Sequence, residues 1–561
     1  MIASLETFVQ EPRVAYFSME IALRSDTPTY SGGLGVLAGD TMRSSADLEL
    51  PMVGVTLASR AGYFRQEIVD GRQVEHPDPW QPEKWAQRLS AKIALPIGER
   101  EVWVGAWLYV VAGHRGGTAP VILLDTDLTE NEAQDRELTH YLYGGDDSYR
   151  LKQEIVLGIG GVRLLRALGF SIRKYHLNEG HASLLAIELL RSIAHTPQEA
   201  GAGNLHYDVP AVRQQCVFTT HTPIEAGYDQ FSYELVDRLL GSVIDNVELR
   251  RLAGQERLNM TRLALNLSEH VNGVARRHAE VSRRLFPGYR VNAITNGVHP
   301  WTWACDSFRR LYDAHVPRWC HEPELLVRAG RIPDEEIRDA HAEAKRALLG
   351  LYCSGADPAL PLLGFARRMT PYKRPDLLFS DPERLQSIAR RHPFQIVLAG
   401  KAHPRDAGGK QLIERLHRWA RDLQGHVPVW FIPDYDMDVA RLFISGVDVW
   451  LNTPMRPLEA SGTSGMKAAL NGVPSLSVPD GWWVEGCIEG VTGWAVGGED
   501  YSDNSRDALS LYDKLEHQVL PLYYNDRAGW AAVMKGAIMH NASYFNSHRM
   551  MRQYAVGAYL R

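Results

Sequence analysis

The chain has 561 residues, 45% hydrophobic and 23% charged, an ordinary globular composition in a chain longer than one hydrophobic core usually supports. Its 61 basic and 67 acidic residues are scattered and sum to a net charge of −6, which argues against a basic face for nucleic acid. The start MIASLETFVQEPR has no basic segment followed by an apolar one, no apolar run reaches about 18 residues, and Cys216, Cys305, Cys320, Cys353 and Cys487 form no CxxC pair, so secretion, membrane insertion and a disulfide frame are disfavoured and reduced thiols in the cytoplasm are expected.

Short apolar runs rich in Val, Ile and Phe recur, most of them followed by a Gly-, Pro- or His-containing turn and a helical pattern, so both halves read as α/β with parallel sheets. In the first half, strands are expected at VAYFSM from Val14, VILLD from Val121, KYHLN from Lys174 and CVFTTH from Cys216, and residues 197–210 read as a surface loop. A boundary near Pro300 divides a domain of residues 1–299 from one of residues 300–530. A polar helical stretch then spans about residues 334–353. Further strands are expected at LPLLGFA from Leu360, FQIVLAG from Phe394, VPVWFIP from Val427, VDVWLN from Val447 and PSLSV from Pro474. Residues 531–561 are helical in pattern, and fold analogy has this stretch cross back to the first domain.

Ligands of doubly wound sheets bind outside the carboxyl ends of the strands, so the turns after the apolar runs carry the candidate chemistry. In YSGGLG, the glycines Gly32, Gly33 and Gly35 leave backbone N–H groups approachable by an anion, making either a phosphate cradle or a tight turn and nothing more. In Thr220-His221-Thr222-Pro223 an imidazole stands where a sugar hydroxyl or a proton donor would sit, unless it serves structure alone. GFARRMTPYKR sets Arg367, Arg368, Lys373 and Arg374 at the end of an apolar strand, which suits a bound anion, with a solvated basic loop as the alternative. Gly400-Lys401-Ala402-His403 adds positive potential to the same sheet edge. In the segment from Glu459 to Gly472, small residues open a helix that Thr463 or Ser464 can cap, and Lys467 falls in its first turns. A partly buried lysine beside other cations loses basicity and becomes a candidate Schiff-base former.

The stretch from Glu459 to Asn471 matches the pyridoxal-phosphate attachment pattern of the α-glucan phosphorylases, E-A-[SC]-G-x-[GS]-x-M-K-x-x-[LM]-N. The chain resembles that family over nearly its whole length, through GGLG at Gly32, RLKQE at Arg150, HLNEGH at His176, THT around His221, TNGVHPWTW from Thr295 and ARRMTPYKR from Ala366. The resemblance implies a GT-B glycosyltransferase architecture, two Rossmann-like doubly wound domains facing a deep interdomain cleft. It also implies a retaining, reversible phosphorolysis of the non-reducing end of glycogen or maltodextrin, an α-1,4-glucan, by inorganic phosphate to give glucose 1-phosphate.

In that family pyridoxal phosphate works through its phosphate, which faces the substrate phosphate. Carried over residue by residue, Lys467 holds the cofactor as a Schiff base, and Arg367, which replaces a family lysine, lies with Thr463, Ser464, Tyr435 and Gly33 around it. Arg368, Lys373 and the backbone around Gly33 would bind the attacking phosphate. Gly33, Leu34, Glu459, Ser461 and Gly462 would meet the substrate, with His221 and Asn296 at the hydroxymethyl end of the sugar. Lys467, Arg368, Lys373 and His221 are the implied catalytic set. A homodimer is also implied, and a metal is not.

Two departures stand out. Asp436 occupies a position where better-known members carry arginine, so Lys401 or Arg367 must compensate near the cofactor phosphate or the loop must differ. The chain is also much shorter than those members, so regulatory phosphorylation, nucleotide activation and a glycogen-storage site are not implied. The rival reading, a nucleotide-sugar-dependent glucan synthase, shares the GGLG turn and a basic pair but has no Schiff-base lysine. A catalytically silent glucan-binding homologue is the remaining alternative.

Overall fold

The computed structural model describes residues 4–194, 207–224, 227–241, 243–498 and 503–560. Most of the expected loop at 197–210 lies outside the described residues. In the first part of the chain the strands are β1 (Arg13–Ser18), β2 (Met52–Leu57), β3 (Arg65–Val69), β4 (Arg72–His76), β5 (Gln87–Arg88), β6 (Ile93–Ile97), β7 (Arg100–Ala112), β8 (Thr118–Asp125), β9 (Ile172–Asn178), β10 (Cys216–Thr219), β11 (Gln230–Ser232), β12 (Arg257–Asn259), β13 (His270–Gly273) and β14 (Asn292–Ala293). Then follow β15 (Leu362–Ala366), β16 (Gln395–Ala399), β17 (Val429–Ile432), β18 (Val449–Asn452), β19 (Ser475–Ser477) and β20 (Gly493–Ala495).

The larger sheet runs β14-β13-β10-β9-β1-β2-β8-β7-β5, with β6 also paired to β7. From β14 to β8 every pairing is parallel, whereas β7 pairs antiparallel with β8, β5 and β6. The second sheet, β17-β16-β15-β18-β19-β20, is parallel throughout. Counted along the chain, the parallel strands of the second sheet follow the order 3-2-1-4-5-6 of doubly wound sheets, and those of the larger sheet follow it with a seventh strand, β14, added at the end. The order reverses between β1 and β9 in one sheet and between β15 and β18 in the other.

Strands β1, β2, β15 and β16 are buried at every residue, and a strand covered on both faces reads as a continuous apolar run rather than an alternating one. The first half adds an antiparallel edge to the expected parallel units. The long antiparallel β7 and its hairpin partners give a mixed sheet, and β2, β13, β14 and β20 were not anticipated. β14 and β20 are two and three residues long, too short to carry a period, and β13 (HVNG) is half polar.

The helix Asp334–Tyr352 starts with Asp334, Glu335 and Glu336 at its positive dipole end and buries Ile337, Ala340, Ala344 and Leu348 along one face. That face packs on the helix Met437–Gly446. No helix of the described residues is long and apolar enough to cross a membrane.

Contacts distant in sequence position the candidate site. The hairpin β3–β4 lies on the turns after β16 and β17: Gln66 Nε2 donates to Gly400 O (3.0 Å), Gln73 Nε2 to Ala402 O (2.9 Å), and the N–H groups of Ala402 and Asp434 donate to Gln73 and Gln66 Oε1 (both 2.9 Å). The helix Ser547–Tyr554 returns to the larger sheet, where Tyr554 Oη meets Thr219 Oγ1 (3.0 Å) and Asn272 Nδ2 (2.9 Å) at the ends of β10 and β13. Met550, Met551, Tyr554 and Tyr559 share a hydrophobic cluster with Val14, Tyr16 and Leu37.

The backbone around Gly297 meets the start of that last helix directly, with Val298 N–H on Phe545 O and Ser547 N–H on Val298 O. A Cβ at Gly297 would stand 2.1 Å from the carbonyl oxygen of Asn546. Backbone cannot yield as a flexible side chain can, so Gly297→Ala is expected to cost about 3 kcal/mol or more, read as a lower midpoint in denaturant unfolding.

Candidate active site

Every loaded turn stands at the carboxyl end of a parallel strand. The glycine turn follows β1, Asn178–His181 follows β9, His221 follows β10, Asn296 follows β14, and the cationic turn, Lys401, Tyr435 and the Glu459–Lys467 segment follow β15, β16, β17 and β18.

At the glycine turn, Gly32 precedes the helix Gly33–Asp47. The carboxylate of Glu20, which sequence reasoning missed, takes the N–H of Ser31 (2.5 Å) and of Gly32 (3.2 Å), and Tyr143 Oη donates to it at 2.8 Å. That corrects the expectation that the whole turn is open to a ligand anion. What stays open is the helix start itself, since a Cβ on Gly33 would meet no atom within 4 Å and the N–H groups of Gly33 and Leu34 have no partner among the described residues. A guanidinium nitrogen of Arg368 lies 3.4 Å from where a Gly32 Cβ would be. Arg368 is exposed and faces Tyr63, Glu20, Tyr372 and Tyr143. Among the described residues it forms no hydrogen bond or ion pair, which leaves its charge uncommitted.

Arg367 and Lys373 are committed. Both pair with the buried Glu459, Arg367 at 2.8 Å to Oε2 and 3.0 Å to Oε1, and Lys373 through Nζ. Arg367 also donates to Asn452 Oδ1 at the end of β18. Burial pushes the Glu459 carboxyl up, but the charges of Arg367 and Lys373 outweigh it and hold the group at about 2. The glutamate expected to take sugar hydroxyls is thus also the counterion of two expected phosphate ligands.

Lys467 lies on the short helix Ser464–Ala469. Neither Thr463 nor Ser464 caps it through its side chain, contrary to expectation, because Thr463 has helical dihedrals (φ −65°, ψ −10°) instead of the extended backbone a capping side chain needs. The hydroxyls of Ser461 and Ser464 are buried without a partner. The Lys467 ammonium is buried, sits 3.8 Å over the ring of Trp303, and has no hydrogen bond or carboxylate partner among the described residues. Trp303 Nε1 donates to Asp40 Oδ2 at 2.7 Å. Burial lowers the Lys467 amine to about 8, Arg43 and Arg367 lower it too, and Asp40 opposes them. The result is a lysine close to its nucleophilic neutral form near physiological pH.

Tyr435 lies near Arg367, which opposes the rise that burial gives its phenol. Asp436 caps the helix Met437–Gly446, accepting from Val439 N–H at 2.8 Å. Lys401 is bound to Asp434 (2.6 Å) and to Phe64 O (3.0 Å). Lys401 thus faces the hairpin side of the turn through these bonds, and its charge also acts on Asp436.

On the other sheet, His221 donates its backbone N–H to Glu179 Oε2 (2.6 Å), and its Nε2 meets Asn178 Oδ1 (2.6 Å). An amide oxygen only accepts, so Nε2 carries the proton and Nδ1 is an acceptor. Burial lowers the imidazole to about 3, with His278 and His181 adding to the effect, so the ring is neutral. Asn296 Oδ1 and Thr220 Oγ1 are buried without partners. No hydrogen bond or ion pair joins His221 to the Arg367–Glu459–Lys467 group. The bridge runs from Asn296 instead: its neighbour Thr295 donates to Glu485 (2.9 Å), and Trp482 N–H donates to Ser461 O (2.9 Å).

Two mainly parallel sheets with cation-rich, lysine-bearing turns at their strand ends define an α/β protein with a candidate anion-binding site. The sequence profile of the carbohydrate phosphorylase family matches residues 21–98 and 367–492. A maltodextrin phosphorylase of Thermococcus litoralis is 40% identical over 97% of this chain and 70% of its own length. A glycogen phosphorylase of Aquifex aeolicus is 35% identical over 96% and 85%, and an uncharacterised protein of Methanocaldococcus jannaschii is 30% identical over 97% and 99%. The chain belongs to the carbohydrate phosphorylase family.

Acylation of Lys467 in cofactor-free protein should titrate with a midpoint near pH 8 instead of 10.5. Asp40→Asn should move that midpoint down and Arg367→Ala up, as read by peptide mapping across pH. Between those two values the folded chain binds fewer protons at Lys467 than the unfolded one, so this group makes stability rise with pH across that window.

Proposed function

We propose that the protein is an α-1,4-glucan phosphorylase that releases glucose 1-phosphate reversibly, and with retention, from the non-reducing end of glycogen or a maltooligosaccharide. The observation that carries this reading is Lys467, a buried amine with no acid partner inside a full attachment motif, in a chain whose relatives are named maltodextrin and glycogen phosphorylases.

The residues fit pyridoxal phosphate. A depressed lysine suits an aldehyde, the unpartnered hydroxyls of Ser461 and Ser464 offer donors beside it, and Arg367 supplies a nearby positive charge. Lys467 would carry the cofactor, with Thr463, Ser464, Arg367 and Tyr435 around it. Bound there, the group supplies a phosphate whose second pKa, about 6, lets it give or take a proton at neutral pH.

Arg368 and the N–H groups of Gly33 and Leu34 would bind the attacking inorganic phosphate, since no acceptor among the described residues uses them. Lys373 and Arg367 offset the repulsion between two phosphates, and Glu459 keeps those cations in place until ligands arrive. Neutral His221, with Nδ1 as acceptor, and Asn296 would take the hydroxymethyl end of the sugar, while Glu459 and the backbone at Ser461 and Gly462 take ring hydroxyls. Positive charge developing on the sugar in an oxocarbenium-like transition state is stabilised by the adjacent phosphate oxygens.

The same reading gives two Rossmann-like lobes of GT-B type, residues 1–299 and 300–530, facing each other across a cleft, with 531–561 returning to the first lobe. Its support is the shared 3-2-1-4-5-6 order and the placement of both groups of candidates at strand carboxyl ends. A homodimer and a cytoplasmic location rest on the family resemblance alone.

Purified protein should absorb in the near ultraviolet beyond its aromatic band, and borohydride should fix that chromophore on Lys467 in a peptide map. Phosphate-dependent release of glucose 1-phosphate should accompany it. Lys373→Ala should lower turnover ~10²–10³-fold, the range for removing one charge-stabilising group from a transition state. A chain that cannot be reconstituted with the cofactor and instead extends a glucan from a nucleotide sugar would overturn the proposal.

A further inference from the structure

Away from the candidate site, three side chains with metal-binding atoms converge without any other use for them. His114 lies in the turn between β7 and β8, where Gly113 N–H closes onto Gly117 O (2.8 Å). Cys320 and His321 lie between the helix Asp306–His315 and the turn that begins at Pro323. Their ligand atoms, two imidazole nitrogens and one sulfur, all fall within 4.8 Å of one another. None of the three side chains makes a hydrogen bond to another described residue, and His321 Nδ1 is buried without a partner.

The surroundings hold these groups in position. The His114 ring packs on Trp301, tilted by 35° with 4.0 Å between centroids, and its backbone N–H donates to Asp47 Oδ1. Trp301 stacks in turn on Trp319, the residue before Cys320. The His114 and His321 rings are 5.5 Å apart. Arg115 opposes a cation here, and Asp47 and Asp313 offset it. His114 is exposed, which gives an ion a way in, whereas Cys320 is buried.

We propose that His114, Cys320 and His321 form a site for a divalent zinc-like cation, with its fourth position open to water. Thiolate sulfur and imidazole nitrogen are both ligand types that borderline-soft Zn²⁺ takes. Zn–N and Zn–S bonds of about 2.1 and 2.3 Å in a tetrahedron separate ligand atoms by about 3.4–3.6 Å, so the three need only close by roughly an ångström. Binding exchanges one proton for the metal: the Cys320 S–H bond breaks, the thiolate sulfur bonds to Zn²⁺, and the proton leaves to solvent. Burial holds the Cys320 thiol at about 11 in the metal-free protein, so affinity rises with pH through the neutral range. The bound ion would clip the β7–β8 turn to a segment some two hundred residues later, close to Asp47.

A neighbouring group, Asp47, His299 and His548, also gathers metal-type atoms. There Asp47 Oδ2 already meets His299 Nε2 at 2.8 Å and His548 Nε2 at 3.3 Å. It is a hydrogen-bonded network in which Asp47 Oδ2 and both Nε2 atoms are in use.

The test is titration of metal-free protein with Zn²⁺ against a chromogenic chelator, repeated with Co²⁺. One equivalent per chain is expected, with a sulfur-to-cobalt charge-transfer band that Cys320→Ser abolishes. His114→Ala, at an exposed position, should weaken binding more than about 100-fold, beyond what outer-shell partners of metal ligands command. It should also remove the rise in Tm that Zn²⁺ gives the parent, while leaving the metal-free Tm unchanged. Absence of saturable binding overturns the proposal. So does binding that survives Cys320→Ser and His114→Ala but is lost in His548→Ala, which would put the ion on the Asp47 network.

Discussion

Asp40 and Asp47 lie two turns apart on the buried helix Gly33–Asp47, and their carboxylates join segments from opposite ends of the chain. Asp40 accepts from His299 N–H (3.1 Å) and Trp303 Nε1 (2.7 Å), and Asp47 from His114 N–H, His299 and His548. A carboxylate taken out of water is costly unless its lone pairs are used, and removing a partner from such a group typically costs about 3–5 kcal/mol. The helix that begins at the open N–H of Gly33 is therefore fixed, through Trp303, against the face on which Lys467 rests. A shift of this helix would move the open N–H groups of Gly33 and Leu34 and the amine of Lys467 together.

The candidate site follows a related electrostatic logic. Three cations stand close together, and only two of them share a protein counterion. Glu459 neutralises part of the charge of Arg367 and Lys373, which allows them to be buried, while Arg368 faces Gly32, Glu20 and solvent without an ion pair among the described residues. The imbalance is local, since the chain as a whole is acidic by six charges, and it marks where an anion would be held most strongly.

Much of the sheet framework could be read from sequence because parallel strands buried on both faces leave apolar runs that little else imitates. VAYFS and LLGFA are such runs. β7 (REVWVGAWLYVVA) carries an apolar run of its own and is exposed only at Glu101 and Ala112; it escaped because a hairpin, not a turn and a helical pattern, follows it, and β13 because half of it is polar. The strand-end turns were legible because glycines, cations and a lysine in fixed spacing are chemically loud. Glu20, Asp40 and Trp303 were not, since each acts through a partner far away in sequence and only the fold brings the two together. The cap assigned to Thr463 or Ser464 failed for a local reason, a backbone conformation that residue type alone does not set. Glu179 lay inside a motif already noticed, and its importance appears only with its left-handed backbone (φ 71°) and its hold on the His221 N–H.

The glutamine contacts of the β3–β4 hairpin bear on how the molecule responds to its medium. Gln66 and Gln73 reach across to Gly400, Ala402 and Asp434 almost wholly through neutral amides, whereas the Lys410–Glu75 pair beside them is ionic. Mobile ions screen separated charges over a Debye length of about 8 Å at physiological ionic strength but leave amide-to-carbonyl bonds intact. A brine that loosens the surface ion pairs would leave these amide bonds closed, so this part of the joint is indifferent to salt in a molecule rich in charge pairs.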